Sequence, residues 1–521
     1  MLAYPQYMTF LRVGAAVLTA LLVFAPGALA QTPPAPGAGA DVLTPAQVER
    51  IDTIAATVIE RKATPSVAIG IARNGRLVFA KGYGFRNLDD RVPADADTMY
   101  GIGSNTKQFT AAAIMMLRDE GKLDVDAPVA RYLPGIPHGD EVLIRNLLTH
   151  TGGYAEYTEI DDIDRLGARA AMNAEILDSV VARPLGFKPG TKWQYSNTGY
   201  VMLATIVEKL SGMSYSDFLR TRIFEPLGMT RTRVEDQQLI ETDRATGYTR
   251  FAMGEQEHEL HLDYTWFSGA GAIESTVGDL VKWNNAIDRG TLISPASRTM
   301  MHTAFTLADG TDTHYGFGLF MQALPGGKHV VLHGGDTTGF GTQDERFVED
   351  GLDLIVLTNQ EPAAYNAVAN ALYRVVIAPP SPFPSLPPAP SDRPPAAPPA
   401  ASPTPIPYAK PETEARARRW LDDAVAGTID LAQLRSSARA MLRQPRYTAA
   451  LRDLARFGPR TYRLLNVDRR APTSTYQFLL QTPKRTLIYL FSVDDDGSVA
   501  GGDVFDPNPL APDPPPAPAA S

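Results

Sequence analysis

Phe109, Ala112, Ala113, Met116 and Leu117 recur at helical spacing until Gly121 offers a stop, which predicts a buried helix opening near Ser104. Val201, Met202, Ile206, Val207 and Leu210 repeat that pattern up to Gly212, so a second helix follows the loop Lys188 to Tyr200. Val330, Val331 and Leu332 read as a strand, and His333-Gly334-Gly335-Asp336 as its edge opening into a glycine-rich turn. Charged and apolar residues partly alternate from Glu257 to Asp263, which predicts a strand with solvated histidines at 258 and 261. Far downstream, Glu412 to Gly427, Leu431 to Arg443 and Tyr447 to Phe457 read as helices, with Trp420, Leu421 and Val425 on one face of the first. Strand alternation follows in Tyr476, Phe478 and Leu480 and again in Leu487, Tyr489, Phe491 and Val493, with Asp494 to Gly497 turning the chain into Ser498 to Phe505.

At 521 residues the chain is too long for one ordinary domain, and its composition marks the divisions. Arg12, the apolar run Val13 to Phe24 and Ala28-Leu29-Ala30 before Gln31 predict a secretory signal over residues 1–30, followed by an unstructured leader over 31–40. That run is too short for a transmembrane helix, so no integral membrane segment is expected after cleavage. Residues 379–411 are dominated by Pro, Ala and Ser, a composition that favours an extended linker between a module at 41–378 and another at 412–506. The tail 507–521 has the same bias and is expected to lack structure. With no cysteine there are no disulfides and no cysteine–zinc sites, and a bacterial periplasm or exterior fits. A net charge of −9 without a basic block excludes nucleic acid as a partner.

The chemistry lies in three short segments. Ser104 and Lys107 share a helix face, and a lysine whose surroundings lower its pKa can take the proton that makes a serine hydroxyl nucleophilic. In Tyr195-Ser196-Asn197 the tyrosine hydroxyl is suited to relay a proton and the asparagine amide to bridge the lysine and a substrate carbonyl, the alternative being an Asn helix cap with a Tyr beside it. After His333, Gly334 and Gly335 let a backbone approach closely, so the next N–H is a candidate half of an oxyanion hole with that of Ser104; the alternative is a tight turn without a ligand.

Taken together, the segments resemble the penicillin-recognising serine hydrolases: class C β-lactamases, D-alanyl-D-alanine peptidases and their esterase and D-aminopeptidase relatives. Leu147 to Gly153, Pro189 to Met229, Gly269 to Thr276, Asp279 to Trp283 and Tyr315 to Gly318 extend the resemblance over about residues 41 to 378. It implies an α+β fold, an antiparallel sheet from the chain's two ends flanked by helices, with a mostly helical insertion carrying Tyr195. It further implies Ser104 as acylated nucleophile, Lys107 and Tyr195 as a coupled acid/base pair, Asn197, His333, Gly334 and Gly335 as substrate-binding positions, and Asp336 donating its backbone N–H to the oxyanion. By the same analogy His150 is structural. No cofactor or metal is implied. Where many relatives carry Lys-Thr-Gly this chain has His333-Gly334-Gly335, and losing a hydrogen bond to a charged group costs about 1.5–3 kcal/mol. The expected substrate is therefore a small acyl ester, a peptide or a cell-wall-derived compound, with an ester or D-amino-acid amide ahead of a carboxypeptidase or weak β-lactamase role. A non-turnover acylable sensor is the reading from another class. The C-terminal pattern resembles the cystatin-like accessory domain found beside some such hydrolases.

Overall fold

The computed structural model describes residues 42–159, 170–234, 243–259, 263–324, 326–362, 364–377, 406–470 and 473–511. The signal segment, most of the linker and His261 lie outside them. No helix among the described residues is long and apolar enough to cross a membrane.

Helix α1 (Pro45–Glu60) starts at Thr44, whose hydroxyl accepts from the Gln47 N–H while the Gln47 side chain answers the Thr44 N–H. Strands β1 (Ser66–Arg73), β2 (Arg76–Asn87) and β3 (Val92–Pro93) follow, then helix α2 (Thr106–Asp119). After further short elements come α3 (Asn197–Ser211), α4 (Val277–Arg289), β4 (Phe320–Leu324), β5 (Lys328–Thr337), β6 (Phe340–Phe347), β7 (Leu352–Thr358) and α5 (Tyr365–Ile377). The strands form one antiparallel sheet in the order β3-β2-β1-β7-β6-β5-β4, closed by pairing β1 with β7 from Val67 opposite Thr358 to Arg73 opposite Leu352. The two ends of the module thus meet in the middle of its sheet.

Alternation along β1 sends Val67, Ile69 and Ile71 to one face, against α1 and α5, and Ala68 and Ala72 to the other, against α2 and α4. Both faces are covered, which explains why β7 is buried throughout. Helix α2 lies inside the second core, with every residue from Thr106 to Leu117 buried, including Lys107, Gln108 and two threonines. The spacing predicts a buried helix, and the structure buries it on all sides.

His333-Gly334-Gly335-Asp336 belongs to β5 and is not the turn expected there. The turn comes at Thr338-Gly339, with Gly339 at φ 76° before β6. His258 sits in a two-residue strand, Glu257–His258, half exposed and paired with Asp89 at 2.6 Å.

Beyond the linker, α6 (Pro411–Ala426), α7 (Ser436–Leu442) and α8 (Pro445–Asp453) precede a four-stranded antiparallel meander: β8 (Thr461–Arg470), β9 (Thr473–Gln481), β10 (Thr486–Asp494) and β11 (Val499–Phe505). Trp420 and Leu421 pack against Tyr476, Phe478, Tyr489 and Phe491 in a core of its own. Strand β8 has no counterpart in the sequence reading: an irregularity between Leu464 and Asn466 shifts its register and spoils the alternation.

The first module reaches into this second core. Ala252 is 1% exposed within it and donates its N–H to the Asp503 carboxylate at 2.8 Å, while Phe251 packs edge-on against Tyr447. Arg61 donates to the carbonyls of Pro509 and Ala511, and Leu510 packs near α1, so residues 507–511 have defined contacts despite their composition. Substituting Ala252→Glu sets a carboxylate in this contact beside Asp503, and an unpaired buried ion costs several kcal/mol. We expect it to lower the melting temperature and split one transition into two by calorimetry; an unchanged melt would show that Ala252 does not hold the modules together.

Candidate active site

From Thr98 to Leu117 every residue is buried except Ser104. Gly103, at φ 50°, opens a single 3₁₀ turn, Gly103–Asn105, that runs directly into α2 and presents that hydroxyl. The turn lies against β5 so closely that a Cβ on Gly335 would stand 1.9 Å from the Ile102 carbonyl oxygen, and one on Gly103 2.8 Å from that of Asp336. Thr342 of β6 locks this contact: its hydroxyl lies 3.1 Å from the Ile102 carbonyl and 3.2 Å from that of Gly335, and accepts from the Asn105 amide at 2.9 Å. Gly334 faces the other way, toward Gln343 and Tyr365. Gly335 thus serves contact between two parts of the protein.

Lys107 is fully buried one turn below Ser104. Its Nζ stands 3.0 Å from Ser104 Oγ, 2.8 Å from Asn197 Oδ1 and 2.8 Å from the Ala270 carbonyl, and 4.6 Å from the centre of the Tyr195 ring. Burial pushes its pKa down to about 7, against a smaller upward pull from Glu156. A neutral amine has two N–H donors and one lone pair. Asn197 Oδ1 in this orientation and the carbonyl can only accept, so they take the donors, and the lone pair is left for the Ser104 hydroxyl.

The helix cap of α3 is Ser196, whose hydroxyl accepts from the Gly199 N–H at 3.1 Å. The Asn197 side chain is therefore free to meet Lys107. Tyr195 is half-buried; its hydroxyl is sealed from solvent without a hydrogen-bond partner of ordinary geometry, and Ser104 is near enough to offset part of the effect of burial. Burial drives its pKa well above the usual phenol value, so it keeps its proton at neutral pH.

His333 is 2% exposed, and burial with the nearby Lys107 holds its pKa down at about 3, so the ring is neutral. Its Nδ1 lies 2.6 Å from the Gly334 carbonyl and must donate; Nε2 then accepts from the Tyr315 hydroxyl at 3.1 Å. Both nitrogens are thus engaged inside the protein, one with Gly334 and one with Tyr315. The Asp336 side chain turns away and accepts from the Tyr365 hydroxyl at 2.8 Å, leaving its backbone beside Gly103.

Two features escaped the sequence reading, the Ala270 carbonyl and Glu156, and the packing around His150 gives content to the structural role expected of it. The Ala270 carbonyl is invisible to any motif of side chains. His150 stacks 4.3 Å from Tyr195, with Trp193, Tyr315 and Phe320 forming an aromatic wall around it, and its Nδ1 accepts from the Ser196 N–H at 3.1 Å. Glu156, 7% exposed, accepts from the Asn197 N–H at 2.6 Å and the Thr198 N–H at 3.4 Å.

The family model described as Beta-lactamase matches residues 51–378, which include every residue of this site. The chain belongs to the Beta-lactamase family. Penicillin-binding protein 4* of Bacillus subtilis (strain 168) is 33% identical over 305 residues, 56% of this chain and 67% of that protein. The D-aminopeptidase of Gluconobacter oxydans (strain 621H) is 25% identical, over 62% of this chain and 61% of its own length. Among solved structures, the D-amino acid amidase of Ochrobactrum anthropi SV3 with L-phenylalanine matches at TM-score 0.56 and 25% identity, covering 64% of this chain and 98% of that one. The octameric penicillin-binding protein homologue of Pyrococcus abyssi shares the fold at TM-score 0.56 and 24% identity, over 88% of this chain and 98% of its own. The Beta-lactamase-family chain is a serine hydrolase by kinship, and its sheet and helices have the α+β arrangement of its relatives.

Because Gly335 abuts a backbone carbonyl and Gly334 the end of a flexible side chain, alanine should separate them. Gly335→Ala forces β5 from the Ser104 turn and is expected to cost about 1–3 kcal/mol and most labelling of Ser104; Gly334→Ala should cost less of both. Urea melts with labelling by a fluorophosphonate check this, and equal effects would refute the contact.

Proposed function

We propose that the protein is a secreted serine hydrolase that forms a covalent acyl-enzyme on Ser104 and cleaves an ester or D-amino-acid amide lacking a free carboxylate beside the scissile bond. The observation that carries this reading is the neutral-leaning Lys107 amine, 3.0 Å from the single partly exposed residue of its segment. Lys107 takes the Ser104 proton as Oγ bonds to the acyl carbon. The backbone N–H groups of Ser104 and Asp336 are assigned to the oxyanion, a role supported by the packing of Asp336 against Gly103. Tyr195, still protonated, hands its proton to the leaving amine or alcohol and recovers one from the Lys107 ammonium. Water then attacks the ester, Lys107 and Tyr195 taking its proton, and Ser104 leaves with a proton restored. Asn197 holds the acyl amide and Lys107 together.

The neutral, internally bonded His333 argues against recognition of a carboxylate, and the partly exposed rings of Trp193 and Tyr195, 6.4 Å apart, suit an apolar side chain. Kinship with a D-aminopeptidase and a D-amino acid amidase favours an amide of a D-amino acid. Export rests on the signal over residues 1–30, and the module at 412–506 is read as a cystatin-like accessory domain.

Acylation should rise with pH through about 7, because the amine accepts a proton only when neutral, and level off above. Lys107→Ala should lose about 10²–10⁴-fold in rate with little change in KM, and Ser104→Ala all labelling; intact-mass spectrometry of the fluorophosphonate adduct reads both. Matched D-phenylalanyl substrates with free and esterified carboxylates then test the preference, the ester being expected to show the higher kcat/KM. Adduct on another serine, or a strong preference for the free acid, would overturn the respective part.

A further inference from the structure

Glu156 lies in the stretch Tyr154-Ala155-Glu156-Tyr157, outside all three motifs, and a glutamate in a polar loop is ordinarily solvated. Here it is buried, and one carboxylate oxygen takes the first two N–H groups of the 15-residue helix α3, at Asn197 and Thr198. The other lies 3.3 Å from the Thr158 hydroxyl. A negative charge at a helix N-terminus is favourable, and this one seats the residue whose amide meets Lys107.

We propose that Glu156 is a positioning residue of the acylation machinery, holding Asn197 against Lys107 through its backbone and placing a negative charge behind that contact. This rests on the assignment of Lys107 as base. The other ionisable groups around Lys107 are Tyr195, Tyr200, His150 and His333, with Asp336 beyond Tyr195. Both tyrosines keep their protons and both imidazoles are neutral, since burial opposes ionisation in each. Asp336, raised by burial to about 6, bears on Tyr195 and Tyr365, and among the described residues Glu156 is the carboxylate whose pull on Lys107 opposes that lysine's own burial.

The geometry separates two effects. Glu156→Gln keeps an acceptor for the Asn197 N–H and removes the charge, whereas Glu156→Asp keeps the charge and shortens the reach. In the full mature chain, the rate of Ser104 modification by a fluorophosphonate is followed against pH by intact mass, with circular dichroism and melting as controls for folding. Glu156→Gln should move the rising limb down by about one pH unit, the low end of what a neighbouring opposite charge produces. Glu156→Asp should leave the limb in place and slow the plateau about tenfold, the effect of a small misplacement being of that order or larger. A limb unmoved by Gln, or moved equally by Asp, overturns the proposal. Should Gln fail to fold, Asp alone decides: a plateau equal to wild type, or a displaced limb, overturns it. A wild-type profile with no limb near neutral pH would instead discard Lys107 as the base, which is a different failure.

Discussion

Everything in this site answers to one constraint: Lys107 has no access to solvent. An ammonium stripped of water is costly enough that the group tends to surrender its proton instead, and the drop of its pKa to about 7 expresses that cost. The surroundings neither pair it with an adjacent carboxylate nor leave it alone. Two acceptors from distant parts of the chain, Asn197 and Ala270, claim its N–H groups and orient what remains toward Ser104. Glu156, farther off, moderates the burial.

Holding such a lysine requires a helix that is itself immersed, and α2 is surrounded by its core from Thr106 to Leu117. At its N-terminal end only Ser104, in the turn before it, reaches the surface. That turn would be pliable in isolation, but Gly103, Gly335 and Thr342 press it onto the edge of β5, where a Cβ at either glycine would collide with backbone. Ser104 is therefore positioned by sheet and helix together, and the aromatic packing of His150 on Tyr195 holds that ring from the other side.

Local features were legible in the sequence. Ser104 and Lys107 are one helical turn apart, and helix ends at Gly121 and Gly212 obey left-handed stop geometry, with φ 72° at both. What depended on distant partners was not. The glycines at 334 and 335 signal either a turn or a close approach, and only the position of Ile102 decides for the latter. The role of His333 turns on Tyr315 and on its own neighbour's carbonyl, which commit both ring nitrogens. Glu156 meets Asn197 across 41 positions of sequence, and no periodicity connects them. Phe251, Ala252 and Met253, which enter the second core, are too few to show a pattern.

The central claim is that Lys107 is a neutral amine near physiological pH, and it is open to direct observation. Carbon-13 NMR of protein labelled at the lysine Cε, titrated from pH 5 to 11 and assigned by the loss of one resonance in Lys107→Ala, reports the ionisation of that amine alone. The account predicts one resonance titrating near pH 7, while surface lysines stay charged to about pH 10. A Lys107 resonance that titrates with the others, at or above about pH 10, would contradict it.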